Sequence, residues 1–175
     1  RHTKIKRFTI DDASKQWLEK RVKNGLRKNT IIINKMSLRY LKDALGHARP
    51  LRSIELDDIE RFIDHIRFKG GSDTTVNMHL RTVKTMLRYY HRPGKLESIP
   101  FIEQIPIRKT EPIYITDEEF KSVMQLESLD NFYKRVFLFY RETGMRLREP
   151  MMATLNGNWI DIPPESKTHQ ARSIE

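Results

Sequence analysis

Between residues 9 and 92, apolar positions recur every three or four residues in four separate stretches, the signature of amphipathic helices. The first stripe is Ala13, Trp17, Leu18 and Val22. Thr9, followed three residues on by Asp12, supplies an acidic variant of the capping box, and Asn24-Gly25 ends the helix. The second begins near Asn29 or Thr30, carries Ile31, Leu38, Leu41 and Leu45 on one face, and stops at Gly46. The third runs from about Asp57 to Phe68 with Ile59, Phe62, Ile63 and Ile66 inward, ending at Gly70-Gly71. The fourth has caps available at Ser72 to Thr74 and a stripe of Val76, Leu80, Val83, Leu87 and Tyr90, broken by Pro93-Gly94.

The pattern then changes. Lys95 to Ile115 carries Pro100, Pro106 and Pro112 among scattered Ile and Phe, which predicts an extended, semi-rigid linker. The linker covers about 93–114, and the domains read as 1–109 and 110–175. Thr116 with Glu119 predicts a capping box for a helix carrying Phe120, Val123 and Met124. Phe132 to Glu142 is apolar on most sides, so a buried helix is expected, with Gly144 at its C-terminal end. A further helix is expected over roughly Leu147 to Leu155. Trp159 to Ile162 alternates as a short strand, and Arg172 to Ile174 is its returning partner. The fold class is therefore mainly α: a four-helix domain followed by an α+β segment with a small β-hairpin. No internal repeat is present.

Charge sharpens this picture. Net charge is +10, with 25 Lys and Arg against 12 Asp and Glu over 1–109, but 8 against 11 over 110–175. A polyanion, by default nucleic acid, is the partner such a basic domain implies. The longest apolar run, such as Val136 to Tyr140, is too short to span a bilayer, and no basic amphipathic helix suits a membrane surface. The absence of cysteine excludes disulfides and thiolate metal sites and fits a reducing cytoplasm. The histidines show no metal-ligand spacing, so no metal or cofactor is expected.

Basic positions lie on helical faces away from the apolar stripes. Lys28, Lys35 and Arg39 fall on the second helix, and Arg81, Lys84, Arg88 and Arg92 recur at i, i+3, i+7 and i+11 on the fourth. A solvated helix face explains any one of them, whereas the charge of the whole domain favours phosphate contact. Thr74, Thr75, Asn77 and His79 at the start of the fourth helix are either DNA contacts or capping and surface residues.

The segment Thr143-Gly144-Met145-Arg146-Leu147-Arg148-Glu149 resembles the tyrosine recombinases, or phage integrases, whose catalytic domain carries a Thr-Gly-x-Arg-x-x-Glu motif. Upstream, Ile115-Thr116-Asp117-Glu118-Glu119-Phe120 looks like the opening helix of that domain. Downstream, Ser166-Lys167-Thr168 followed by Arg172 is similar to the hairpin whose lysine reaches the active site. The four-helix front, with Thr74-Thr75-Val76-Asn77 opening its last helix, looks like the family's SAM-like core-binding domain.

The resemblance implies site-specific DNA recombination or integration on double-stranded DNA through a 3′-phosphotyrosyl intermediate. It implies a homo-tetramer on paired sites, and an enzyme encoded by a bacterium, phage or mobile element. On it, Arg146 is the first active-site arginine, Glu149 its support and Lys167 the proton donor to the leaving oxygen. Arg148 and Arg172 are candidate phosphate contacts. The sequence departs from the family at Pro150, where an aliphatic residue is usual, and in the short span from Leu155 to Lys167. The family's His-x-x-Arg segment and nucleophilic tyrosine are expected beyond residue 175, which would leave these 175 residues inactive alone. Two rivals stand beside this reading: a DNA-binding regulator or accessory factor without chemistry, and a type IB topoisomerase-like enzyme.

Overall fold

In the computed structural model, residues 8–108, 111–164 and 170–175 are described. The chain divides into two compact units, Arg1–Thr110 and Glu111–Glu175. In the first, four helices bury their apolar stripes against one another: α1 (Ile10–Lys23), α2 (Lys28–Leu45), α3 (Leu56–Phe68) and α4 (Asp73–His91). Their core includes Trp17, Leu38, Leu41, Phe62, Ile66, Leu80, Leu87 and Tyr90, all at or below 2% exposure. Val22, expected on the inner stripe of α1, is 56% exposed. The Thr9–Asp12 box forms as expected, with the Asp12 amide donating to Thr9 Oγ1 at 3.1 Å and the Thr9 amide to Asp12 Oδ2 at 3.2 Å.

α4 carries the longest buried face of the four helices. Its buried face closes the bundle, and the Tyr90 hydroxyl donates to the Ala13 carbonyl at 2.8 Å, tying it to α1. A second face of α4 receives the Pro-containing segment, the stretch expected as an extended, semi-rigid linker. Leu96 and Ile102 are buried, Ile99 and Ile105 are partly so, and all four pack on the helical core. Asn77 Nδ2 donates to the Ile105 carbonyl, and the Ile105 amide donates to Asn77 Oδ1, both at 2.8 Å. Lys84 Nζ donates to the Ile102 carbonyl at 2.5 Å. Prolines keep this strap extended, and the interleaved Leu and Ile give it apolar contacts with the bundle.

The second unit comprises α5 (Asp117–Gln125), α6 (Asn131–Thr143) and a three-stranded antiparallel sheet in the order β1 (Thr154–Asn156), β2 (Trp159–Ile162), β3 (Arg172–Ile174). The Thr116–Glu119 capping box opens α5, with the Glu119 amide donating to Thr116 Oγ1 at 3.2 Å. Two features of this unit differ from expectation. α6 is not buried: Phe132, Tyr133, Phe137, Leu138 and Phe139 are 36–58% exposed. Met145, Ile162 and Glu149 are the buried residues among those described in this unit, so no core covers the helix.

The helix expected over Leu147 to Leu155 does not form either. Pro150 lacks an amide hydrogen and disfavours helical geometry at Glu149, so the chain makes turns through 147–152 and then enters β1. The β1–β2 connection is Gly157-Asn158, with Asn156 paired to Trp159 and Gly157 at φ 60°.

Candidate functional site

The site begins where α6 ends. Gly144 takes the left-handed conformation (φ 60°, ψ 20°) at the C-cap, a geometry that costs a glycine little, and its amide donates to the Tyr140 carbonyl. The chain therefore turns sharply just before Arg146. Met145 is buried beneath the turn, and the Tyr140 hydroxyl donates to the Leu147 carbonyl at 2.7 Å, pinning its far side.

Glu149 organises the turn itself. Its backbone amide donates to the Arg146 carbonyl at 2.8 Å, and its own carbonyl accepts from the amides of Met152 and Ala153, each at 3.0 Å. Its side chain is 3% exposed. Glu149 Oε2 accepts from the Arg146 amide at 2.8 Å and from Arg172 Nη2 at 2.7 Å, and Oε1 accepts from Arg146 Nη1 at 2.8 Å. The Arg146 amide bond is the largest influence holding this carboxyl below its ordinary pKa. Burial opposes it, and the two guanidinium groups reinforce it.

Arg172 reaches Glu149 because β3 pairs with β2, setting Arg172 opposite Ile162. The sheet thus returns a cation to a carboxylate 23 residues earlier. Both guanidiniums remain nearly half exposed, at 49% for Arg146 and 43% for Arg172. An arginine carries five N–H donors, and each here gives one side-chain donor to Glu149 among the described residues. Two cations on one carboxylate leave the cluster a net positive charge. The carboxylate cancels their mutual repulsion and fixes their heads in place. Such a pair is suited to the two non-bridging oxygens of a phosphodiester. A shallow concavity of about 480 Å³ opens beside Arg172, lined in part by Met152, Asp161 and Pro163.

The remaining candidates divide between exposed faces and structural roles. Arg148 is exposed in the turn. Lys167 lies outside the described residues. Lys28, Lys35 and Arg39 are exposed along α2, and Arg81 and Arg88 along α4. Lys84 leaves that stripe for the strap. Asn77 is 5% exposed with its amide bonded to Ile105, which gives it a structural role in place of a DNA contact. His79 is fully buried, its Nδ1 2.7 Å from Ser37 Oγ, and burial lowers its pKa. Thr74 is exposed, and Thr75 sits in the first turn with its amide on Ser72 Oγ at 3.4 Å. Among the described residues no group of acidic or histidine side chains could hold a metal ion, and no helix is long and apolar enough to cross a membrane.

Solved structures of integrases bound to DNA share this mainly helical fold. The particular likenesses are to phage and transposon integrases. A lambda integrase dimer bound to a COC′ core site superposes with a TM-score of 0.78 at 16% identity, over 96% of this chain and 49% of that one. A lambda integrase tetramer bound to a Holliday junction gives 0.79 at 16% identity, over 97% and 49%. The Tn1549 transposon integrase (residues 82–397) in complex with circular intermediate DNA gives 0.73 at 17% identity, over 95% and 59%. At such identities the fold is what is shared, and the chain spans about half to three fifths of the structures it matches. No protein-family model and no curated protein matches the sequence.

Proposed function

We propose that this chain is the DNA-binding front and the opening part of the catalytic unit of a tyrosine site-specific recombinase. The observation that carries the proposal is the Glu149 carboxylate holding Arg146 and Arg172 side by side at the turn after α6. In this reading, duplex DNA lies against the exposed cations of α2 and α4: Lys28, Lys35, Arg39, Arg81 and Arg88, with Thr74, Thr75 and Arg148 as further contacts. Phosphate charge favours such faces through counterion release.

The chemistry is phosphoryl transfer on a DNA strand. A tyrosine oxygen of the parent enzyme forms a bond to phosphorus while the 5′-oxygen leaves. Negative charge grows on the non-bridging oxygens during that step. Fixed cations stabilise it without reorganising at the moment of reaction. Arg146 donates to one of these oxygens, Glu149 keeps it aimed, and Arg172 adds a second positive group. Lys167 supplies the proton to the leaving oxygen as a general acid. The 5′-hydroxyl of a partner strand then displaces the tyrosine, restoring the phosphodiester. Assembly as a homo-tetramer on two paired sites follows from that strand exchange.

The test is covalent capture. A parent enzyme carrying this segment is expected to form an adduct with nicked duplex DNA, and Arg146→Ala is expected to lower the yield by roughly 10²–10³. An undiminished adduct in the variant would show that Arg146 does not act on the phosphate, whereas no adduct from the unsubstituted parent would leave a non-catalytic DNA-binding role.

A further inference from the structure

A groove of about 270 Å³ runs between the C-terminal ends of α1 and α4, in the other unit from Glu149. Lys20 and Arg21 line it from α1, and Arg88 and Arg92 from the end of α4. We propose that this groove is a second phosphate-binding track on the first unit, taking the sugar–phosphate backbone of a nucleic-acid duplex. The identity of the ligand rests on the recombinase reading, while the existence of the site rests on its own observations.

The first observation is charge without compensation. Lys15 and Lys42, elsewhere on α1 and α2, are both paired with Asp11, at 2.7 and 3.0 Å. None of the four groove cations has a carboxylate within salt-bridge distance among the described residues. The C-terminal ends of α1 and α4 are the other negative groups nearby. A helix end carries about half an elementary charge, so the two together offset about one of four. A solvated helix face would disperse such cations, whereas here two helices bring them to one groove.

The second observation is that two of the cations are held. Lys20 Nζ lies 4.8 Å from the centre of the Tyr89 ring, and Arg21 Cζ lies 5.0 Å from that of Trp17. Trp17 is 2% exposed, so its ring is fixed in the bundle and fixes the guanidinium over it. Arg21 Nε has no acceptor among the described residues. Side chains already ordered lose less entropy when a ligand arrives.

The third observation distinguishes a backbone from a small anion. A tight single-phosphate pocket has converging backbone amides or a helix N-terminus. This groove has helix C-termini, whose carbonyls disfavour a lone anion. A row of cations in that setting gains through counterion release along a polymer. Arg88, shared with the exposed stripe of α4, connects the groove to that face.

The experiment measures duplex DNA affinity of the whole chain against salt, using Lys20→Gln/Arg92→Gln. Both residues are exposed and lie outside the site of the proposed function. The log–log salt slope is expected to fall by about 2, close to 0.9 for each phosphate no longer neutralised. The charge-retaining variant Lys20→Arg/Arg92→Lys is expected to restore it, which loss of folding would not allow. A parallel variant, Lys35→Gln/Arg39→Gln, reports the α2 face. An unchanged slope in the groove variant, with a reduced slope in the α2 variant, overturns this inference alone. Absence of salt-dependent binding by the unsubstituted chain overturns the DNA-binding reading as well.

Discussion

Glu149 accepts three hydrogen bonds in a nearly solvent-free position, and two come from charged donors. Its ionised form is therefore favoured in the folded chain. Because the folded pKa is depressed, the stabilisation is fully present above the unfolded value, near 4.5. It is lost as pH falls through the lower, folded value. Acid unfolding of the second unit is expected to shift toward neutral pH in Glu149→Gln. With Trp17→Phe as background, Trp159 reports that unit by fluorescence, since the chain has two tryptophans. Superimposable acid transitions in the two proteins would contradict the role assigned to Glu149.

At this scale the sequence is legible in part. Arg146 and Glu149 lie three residues apart in a motif, and their proximity follows from spacing. The place of Arg172 beside them does not, because it depends on β3 returning to β2 across 23 residues. The commitment of Asn77 to Ile105 is hidden for the same reason: nothing local distinguishes an amide facing DNA from one facing a strap 28 residues away.

At the scale of elements, the strap turns a composition signal into a packing one. Prolines announce extended chain, but the interleaved Leu and Ile decide whether that chain floats or docks. Asn77→Ala removes both bonds to Ile105 and leaves its backbone groups without those partners. A loss of about 1–3 kcal/mol is expected in chemical denaturation. Limited proteolysis is expected to cut the 95–108 segment faster in this variant, with DNA affinity little changed. A selective fall in affinity without faster cleavage would return Asn77 to the DNA interface.

α6 shows the converse. Its apolar composition predicts burial, yet its aromatic face is exposed, because periodicity reports what a helix prefers and not whether a partner is present. Phe137→Lys is expected to change stability by less than about 0.5 kcal/mol, as surface substitutions do, and to reduce binding of a hydrophobic dye such as ANS. A large destabilisation would place Phe137 in a core. β1 is announced locally by Gly157-Asn158, a two-residue hairpin signal, but a helix continued through Pro150 conceals it.

At the scale of the whole molecule, the mainly helical architecture with a small sheet is legible because four clean stripes and two capping boxes agree with one another. Charge asymmetry follows the division of the chain: the basic excess belongs to the helical bundle, while the second unit gathers two of its cations at one carboxylate. On the proposed reading, one unit binds DNA broadly and the other addresses a single phosphate. The most direct test follows the two guanidiniums themselves. In ¹⁵N-arginine-labelled chain, the Nε–H resonances of Arg146 and Arg172 are recorded as duplex DNA is added. The account predicts that both shift together and saturate at one DNA concentration, and that Glu149→Gln uncouples them. Resonances that stay unmoved while those of α2 and α4 saturate would contradict it.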